Sequence, residues 1–314
     1  PNPYIDLFRE TIATSQAFKT RLFSEKGKWP AYITFLLLLF SIYLLILGTE
    51  APSPINNSTK SGFFTSSYSP DKEYKQNVSN RIVEILTESY QNTFQNFQPF
   101  GASFLFKMPT GDSALAVHQD WTIVNEEIQY ALNCWIPLTE ITKDNGTLMV
   151  LPGSHFDNYR SLRAPTLGFF FSKHEDVVMD ALIPVMPKLG EAVILNQSLI
   201  HYSPPNKSQL IRKAITAGVK SKNAPMFFHY QNPETKALEK YSMPEDFLLG
   251  FEDFMNDIFK KPKGFLKEQI EYEVEYMDAE KLKAKVKFFM TRAGILPNRP
   301  NNLIGKLKAM FGNG

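Results

Sequence analysis

The sequence predicts a mainly β protein with flanking helices, built on a double-stranded β-helix, or jelly-roll, core. Two observations carry that fold class. From about Phe100 the chain breaks into short apolar or alternating runs, ASFLFKM, SALAVHQD, IQYALNCWIPL, GTLMVLPGS, EAVILN and RKAITAGVK, at the two-residue period of a strand. Asp112, Asp144-Asn145-Gly146, Pro152-Gly153, Gly190 and Pro204-Pro205-Asn206 punctuate these runs, and no long helix intervenes. Short strands joined by turns suit an antiparallel sandwich rather than a βαβ sheet.

The chain has 314 residues, enough for one main domain with helical additions. Lys and Arg number 34 against 32 Asp and Glu, a net charge of +2, so the charge balance points away from nucleic acid and toward a small or lipidic molecule. With a single cysteine, Cys134, an intramolecular disulfide framework and a cysteine-based zinc cluster are both excluded. Cys134 sits in a strand-like run and reads as a small core residue.

Residues 1–50 form a basic segment, with Lys19, Arg21, Lys26 and Lys28, leading into an uncharged apolar run from Ala31 to Gly48. That run is at the short end for crossing a bilayer, and flanking Trp29 and Tyr32 suit an interface. A membrane anchor is the sharper reading and a helix buried in protein the alternative, so the expected location is at a membrane rather than free in the cytoplasm. Residues 51–232 form the expected core, beginning with a Ser/Pro/Asn-rich linker. Ser69-Pro70-Asp71 then opens a helix with Tyr74, Val78, Ile82, Ile85 and Leu86 on one stripe. Residues 233–314 are expected to be a helical extension, from the interleaved Glu, Lys and Phe of PEDFLLGFEDFMNDIFKK and EQIEYEVEYMDAEKLKAKVKFFMTRAG. Within it Lys281, Lys283, Lys285 and Lys287 read as a solvated face.

His118 and Asp120 are two apart, so on a strand both point to one face and can reach one ion. His201 follows the apolar strand EAVILN and can close a triad from a strand neighbouring in space. Two neutral imidazoles and one carboxylate bind Fe(II) on one face and leave the other positions open for a co-substrate and O2. Arg212, on the next strand, supplies a fork that binds a carboxylate through two parallel charge-assisted bonds. His155 in PGSH, His174 and His229 are read as non-ligands. Lys107 suits a surface ion pair or a contact to an acidic group. Phe169-Phe170-Phe171 reads equally as a lid or as a core aromatic cluster.

VHQDWTIVNE, WIPLTEITKDNGTLMVLPGSH, Gly190 and IHYSPPNKSQLIRKAI together closely resemble the phytanoyl-CoA dioxygenase family of Fe(II)/2-oxoglutarate oxygenases, over about residues 60–222. The resemblance implies a cupin-like jelly roll and a dioxygenase that uses Fe(II), 2-oxoglutarate and O2. It implies iron ligation by His118, Asp120 and His201, and binding of the distal 2-oxoglutarate carboxylate by Arg212 with help from the Ser203 hydroxyl. Trp135 and Asn133, on a strand that lines the co-substrate pocket in such enzymes, and Thr147 in NGTL are further candidates for that pocket. Because Asp120 is a carboxylate where related halogenases carry a small residue, hydroxylation or another oxidation is expected rather than halogenation. The competing classes are a metal-binding jelly roll without turnover and a membrane-anchored lectin-like module, and Arg212 argues against the second.

Overall fold

Alternating strands pair into antiparallel sheets in the structure, a computed structural model that describes residues 62–158 and 161–295. In chain order the elements are β1 (Phe63–Thr65), α1 (Lys72–Thr93), β2 (Phe97–Lys107), β3 (Leu115–His118), β4 (Ala131–Pro137), β5 (Met149–Val150), α2 (His155–Asn158), α3 (Glu175–Met179), β6 (Ile183–Pro184) and β7 (Val193–Asn196). There follow β8 (His201–Ser203), β9 (Arg212–Ser221), β10 (Met226–Gln231), β11 (Leu238–Met243), α4 (Phe254–Asp257), β12 (Phe265–Ile270) and α5 (Ala279–Arg292). The chain divides into two units. One takes Glu84–Asn92 together with residues 1–58, which lie outside the described residues; the other, residues 59–83 and 93–314, holds every described strand.

In that second unit a five-stranded sheet of order β1-β2-β9-β4-β7 and a four-stranded sheet of order β3-β8-β5-β6 form the predicted jelly roll. Their facing sides share one apolar cluster: Trp135, Leu195 and Ala214 from the larger sheet meet Leu148, Leu199 and Val150 from the smaller. Strand alternation then sorts every neighbour. Val117 and Tyr202 pack outward, so His118, His201 and Ser203 point inward. On the larger sheet Lys107, Arg212, Thr216, Asn133 and Trp135 share the inward face with Ala214 and Leu195. Polar side chains placed on a core-facing surface need partners there, and this face is where the chemistry collects.

α5 covers the outer side of the smaller sheet. Leu282, Val286, Phe289 and Met290 fall at three- and four-residue spacing and pack with Val117, Ile200, Phe170 and Phe171. Burying a phenylalanine fully, as at Phe171 and Phe289, is worth about 1.5–3 kcal/mol each. Phe170 and Phe171 are therefore core, and the lid alternative for that segment is set aside. Asp278 caps α5 by accepting from the Lys281 amide at 2.9 Å, and Lys281, Lys283 and Lys287 are exposed. The expected opening of α1 is also present: the Tyr74 amide donates to Asp71 at 3.0 Å, and Val78 and Ile82 are buried.

The helical expectation after residue 233 is corrected. β11 and β12 lie there and join β10, which precedes them, in a third antiparallel sheet, and α5 is the one long helix among the described residues of that stretch. In EYEVEYM the glutamates alternate with Tyr272, Val274 and Tyr276, a two-residue period, and the segment is non-helical with Tyr272 and Val274 packed beside Leu238. Phe247, Phe251 and Phe254 belong to an aromatic cluster around Trp121 and Phe228 rather than to one face of a single long helix. The membrane-associated location is corrected as well. No helix among the described residues is long and apolar enough to cross a membrane. The longest, α1, has the length but carries Lys72, Glu73, Lys75, Arg81, Glu84 and Glu88. Residues 31–48, on which the expectation rested, lie outside the described residues.

Candidate metal and co-substrate site

His118 and His201 are directly opposed across β3 and β8, so both rings project from the same side of the small sheet. Their ring centroids are 4.1 Å apart, and Asp120 Oδ1 lies 3.8 Å from His118 Nε2. One ligand atom from each of His118, Asp120 and His201 falls within 4.8 Å of the others. Such spacing suits a single ion reached by each side chain at about 2 Å. His155, His174 and His229 lie outside the group; the ring nitrogen Nδ1 of His229 faces the Thr122 carbonyl at 3.1 Å.

The two rings are oriented by the backbone. Nδ1 of His118 sits 2.7 Å from the Ala116 carbonyl and Nδ1 of His201 sits 2.9 Å from the Leu199 carbonyl. Nδ1–H donation to those oxygens puts the free lone pair on Nε2, the nitrogen turned toward the cluster. Loss of hydration, and next the neighbouring His201, push the His118 pKa down to about 4 against the opposing pull of Asp120. At neutral pH its imidazole is uncharged and able to ligate.

Asp120 is held at both ends. Its Oδ2 accepts from Asn133 Nδ2 at 2.9 Å, and Asn133 Oδ1 in turn accepts from Thr216 Oγ1 at 2.8 Å. Its main-chain carbonyl accepts from Arg163 Nε at 2.7 Å, while Arg163 Nη2 pairs with Glu126, the two side chains being 1% and 6% exposed. Arg163 and Glu126 were not legible as site residues. Arg163 lies in an irregular stretch with no periodic signal, and its role depends on that stretch lying against Asp120 and Thr122.

Arg212 lies deeper on the same inward face. It is buried, its guanidinium carbon sits 5.4 Å from the Trp135 ring centroid, and its Nε and Nη1 have no hydrogen-bond partner. Burial lowers its pKa to about 10, so it is still a cation at neutral pH. Across the strand pair from it is Lys107, fully buried, whose ammonium donates to the Ser203 carbonyl at 2.7 Å and to the Pro204 carbonyl. The surface ion pair considered for Lys107 is therefore replaced by an interior clip. Burial, and next the Arg212 charge, bring the Lys107 pKa down to about 7.

The remaining candidates are placed as follows. The Ser203 hydroxyl donates to the Gly146 carbonyl at 2.8 Å, and the Thr147 hydroxyl donates to the Val185 carbonyl just beyond β6. Trp135 is buried beside Arg212. Asn133, expected to line the co-substrate pocket, makes its two side-chain bonds to Asp120 and Thr216. Gly146 adopts φ +74° where a Cβ would lie 2.6 Å from the Pro204 carbonyl, which explains glycine in the NGT turn.

The chain is similar to several known proteins. The chain is 28% identical over 120 residues to phytanoyl-CoA dioxygenase domain-containing protein 1 of Danio rerio, covering 36% of this chain and 41% of that protein. It is 29% identical over 118 residues to phytanoyl-CoA dioxygenase 1 of Oryza sativa subsp. japonica, covering 37% and 42%. The chain thus spans about two fifths of the length of the curated relatives it matches. Among solved structures, HygX from Streptomyces hygroscopicus, crystallised with nickel, 2-oxoglutarate and hygromycin B, aligns over 59% of this chain and 78% of that one at 15% identity and a TM-score of 0.40. The description "Phytanoyl-CoA dioxygenase (PhyH)" matches residues 56–214, half of the 314 residues, and takes in His118, Asp120, Asn133, Trp135, His201 and Arg212. The chain belongs to the phytanoyl-CoA dioxygenase family.

Proposed function

We propose that this protein is a non-haem Fe(II)/2-oxoglutarate-dependent dioxygenase that hydroxylates, or otherwise oxidises, a small or lipidic organic substrate with release of succinate and CO2. The observation that carries the reading is Arg212: a buried cation with two unpartnered nitrogens on the inward face that also holds Asn133 and Trp135. An isolated buried charge is costly, and a carboxylate ligand satisfies it with two parallel bonds. The donor set fits the metal equally well, because two neutral nitrogens and one carboxylate on one side leave the opposite side free.

An Fe(II) ion bound there supplies oxygen activation coupled to oxidative decarboxylation of 2-oxoglutarate. The protein's own share lies in placement. His118, Asp120 and His201 hold the metal from one side, with both imidazoles fixed by backbone carbonyls. Arg212 holds the far carboxylate of 2-oxoglutarate, with Trp135 beside its guanidinium. Trp135 also belongs to an apolar cluster with Leu148, Leu195 and Leu199, and an apolar surround strengthens charge pairing. No protein nucleophile is needed, and the intact Asp120 favours hydroxylation over halogenation.

The test is anaerobic reconstitution with Fe(II), followed by exposure to O2 with 2-oxoglutarate and a panel of lipids, acyl thioesters and amino acids. Succinate formation that depends on one substrate class, matched mole for mole by oxidised product, is expected. A protein that takes up Fe(II) and 2-oxoglutarate and yet releases no succinate with any class would overturn the enzymatic reading and favour the non-catalytic one.

A further inference from the structure

We infer that Asn133 and Thr216 are a positioning pair that holds Asp120 to one-oxygen ligation and so keeps an open position at the metal. The inference rests on the metal site proposed above. Oδ1 of Asp120 is the oxygen near His118, at 3.8 Å, whereas Oδ2 is tied to the Asn133 amide at 2.9 Å. A carboxylate with both oxygens free can turn about its last bond and take two positions on one ion. The facial arrangement has three positions to spare, and a ketoacid occupying two of them leaves one for O2. A two-oxygen Asp120 would consume that last position.

The pair is polarised in one direction. A carboxylate oxygen only accepts, so the amide must turn its Nδ2 toward Asp120 and its Oδ1 toward Thr216. The Thr216 hydroxyl donates to that oxygen at 2.8 Å. Were the amide reversed, two acceptors would face each other across the Asp120 contact. Thr216 therefore acts on Asp120 through Asn133 alone. Register supports the arrangement: Asn133 is paired with Gly218 and Trp135 with Thr216 across β4 and β9, so Thr216 and Asn133 are diagonal neighbours on one face. Arg163 fixes the main chain of Asp120 from the other side, leaving side-chain rotation as the freedom the pair removes.

The experiment uses Co(II) as the probe with the purified full chain, measuring its dissociation constant and its visible absorption in the parent, Asn133→Leu, Thr216→Val, the double variant and Asp120→Ala. Far-UV circular dichroism and the thermal midpoint of the metal-free proteins report on folding. Asn133→Leu is expected to change the Co(II) absorption bands as Asp120 takes a second position, and to shift the Co(II) dissociation constant about 10–100-fold as the carboxylate loses its fixed orientation. Thr216→Val, nearly isosteric, is expected to shift both in the same direction by less than about tenfold. The double variant should be no worse than Asn133→Leu, because the two act in series. Parent-like affinity and spectrum in both single variants, or additive losses in the double, would overturn the pair. So would an Asn133→Leu protein with normal Co(II) binding and weakened 2-oxoglutarate binding, which would make Asn133 a co-substrate contact. If the parent itself does not bind Co(II), or Asp120→Ala binds it equally well, the metal site itself is wrong and the pair falls with it.

Discussion

Replacing Arg212 by methionine separates the cost of its buried charge from the carboxylate binding proposed for the same guanidinium. In the ligand-free protein the cation is buried with Nε and Nη1 unpartnered, and burial lowers its pKa from 12.5 to about 10. At about 1.4 kcal/mol per pKa unit, holding the charge there costs on the order of 3 kcal/mol. Methionine keeps much of the apolar stem and removes that cost, so Arg212→Met should leave the ligand-free fold as stable as the parent or more so. The same substitution removes the two charge-assisted bonds proposed to the 2-oxoglutarate carboxylate, each worth about 1.5–3 kcal/mol. Together they predict a loss of about 3–6 kcal/mol, or roughly 10²–10⁴ in the dissociation constant. Isothermal titration of 2-oxoglutarate into anaerobic, metal-loaded protein measures the second effect and thermal melting of the metal-free protein the first. Metal binding itself should change little, since Arg212 is not among the grouped ligands. A variant that binds 2-oxoglutarate within about threefold of the parent would refute the assignment.

Further expectations follow from the same contacts. Arg163→Met leaves Glu126 buried without its partner and should cost about 3–5 kcal/mol in denaturant unfolding; an unchanged midpoint would show that the pair carries no stability. Gly146→Ala forces a side chain into a positive-φ turn against the Pro204 carbonyl, with an expected loss of about 1–3 kcal/mol, and a melting temperature equal to the parent's would contradict it. Burial lowers the His229 pKa from 6.5 to about 4, so the unfolded chain takes up a proton at higher pH than the folded one. Its share of stability is whole above pH 6.5 and is lost as pH falls toward 4, by roughly 3 kcal/mol, on top of a loss of the same sign from His118. His229→Gln should flatten the acid limb of the stability curve by about one proton; an unaltered slope would refute it.

The jelly roll and the metal group were legible because both follow from strand alternation. His-x-Asp at the end of an alternating run brings two candidate ligands together, and β8 sets His201 directly opposite His118. Arg212 was legible for the same reason, and Thr216 on its strand carries the same signal: four residues on, it must share the inward face. What holds these groups was less legible. Lys75 and Lys107 look like surface cations in a one-dimensional reading, yet both are buried with their ammonium groups donating to backbone carbonyls. Arg163 acts across a loop from the residue it fixes, and nothing local in SLRAP announces that. The C-terminal stretch misled because aromatic residues at near-helical spacing also suit an aromatic cluster, and Gly250 and Pro262 break the run into turns. The period-two alternation of Glu271–Tyr276 was the better guide there.

One metal ion and one 2-oxoglutarate are proposed to meet between the two sheets. Adding 2-oxoglutarate to the anaerobic Fe(II)-loaded protein tests it directly, because chelation by a ketoacid creates a visible charge-transfer absorption that neither component has alone. The band is expected to appear and to saturate at one equivalent in the parent. Asp120→Ala should fail to form it, and Arg212→Met should form it only at much higher ligand concentration. A parent protein that binds Fe(II) and develops no band at saturating 2-oxoglutarate would refute a shared site.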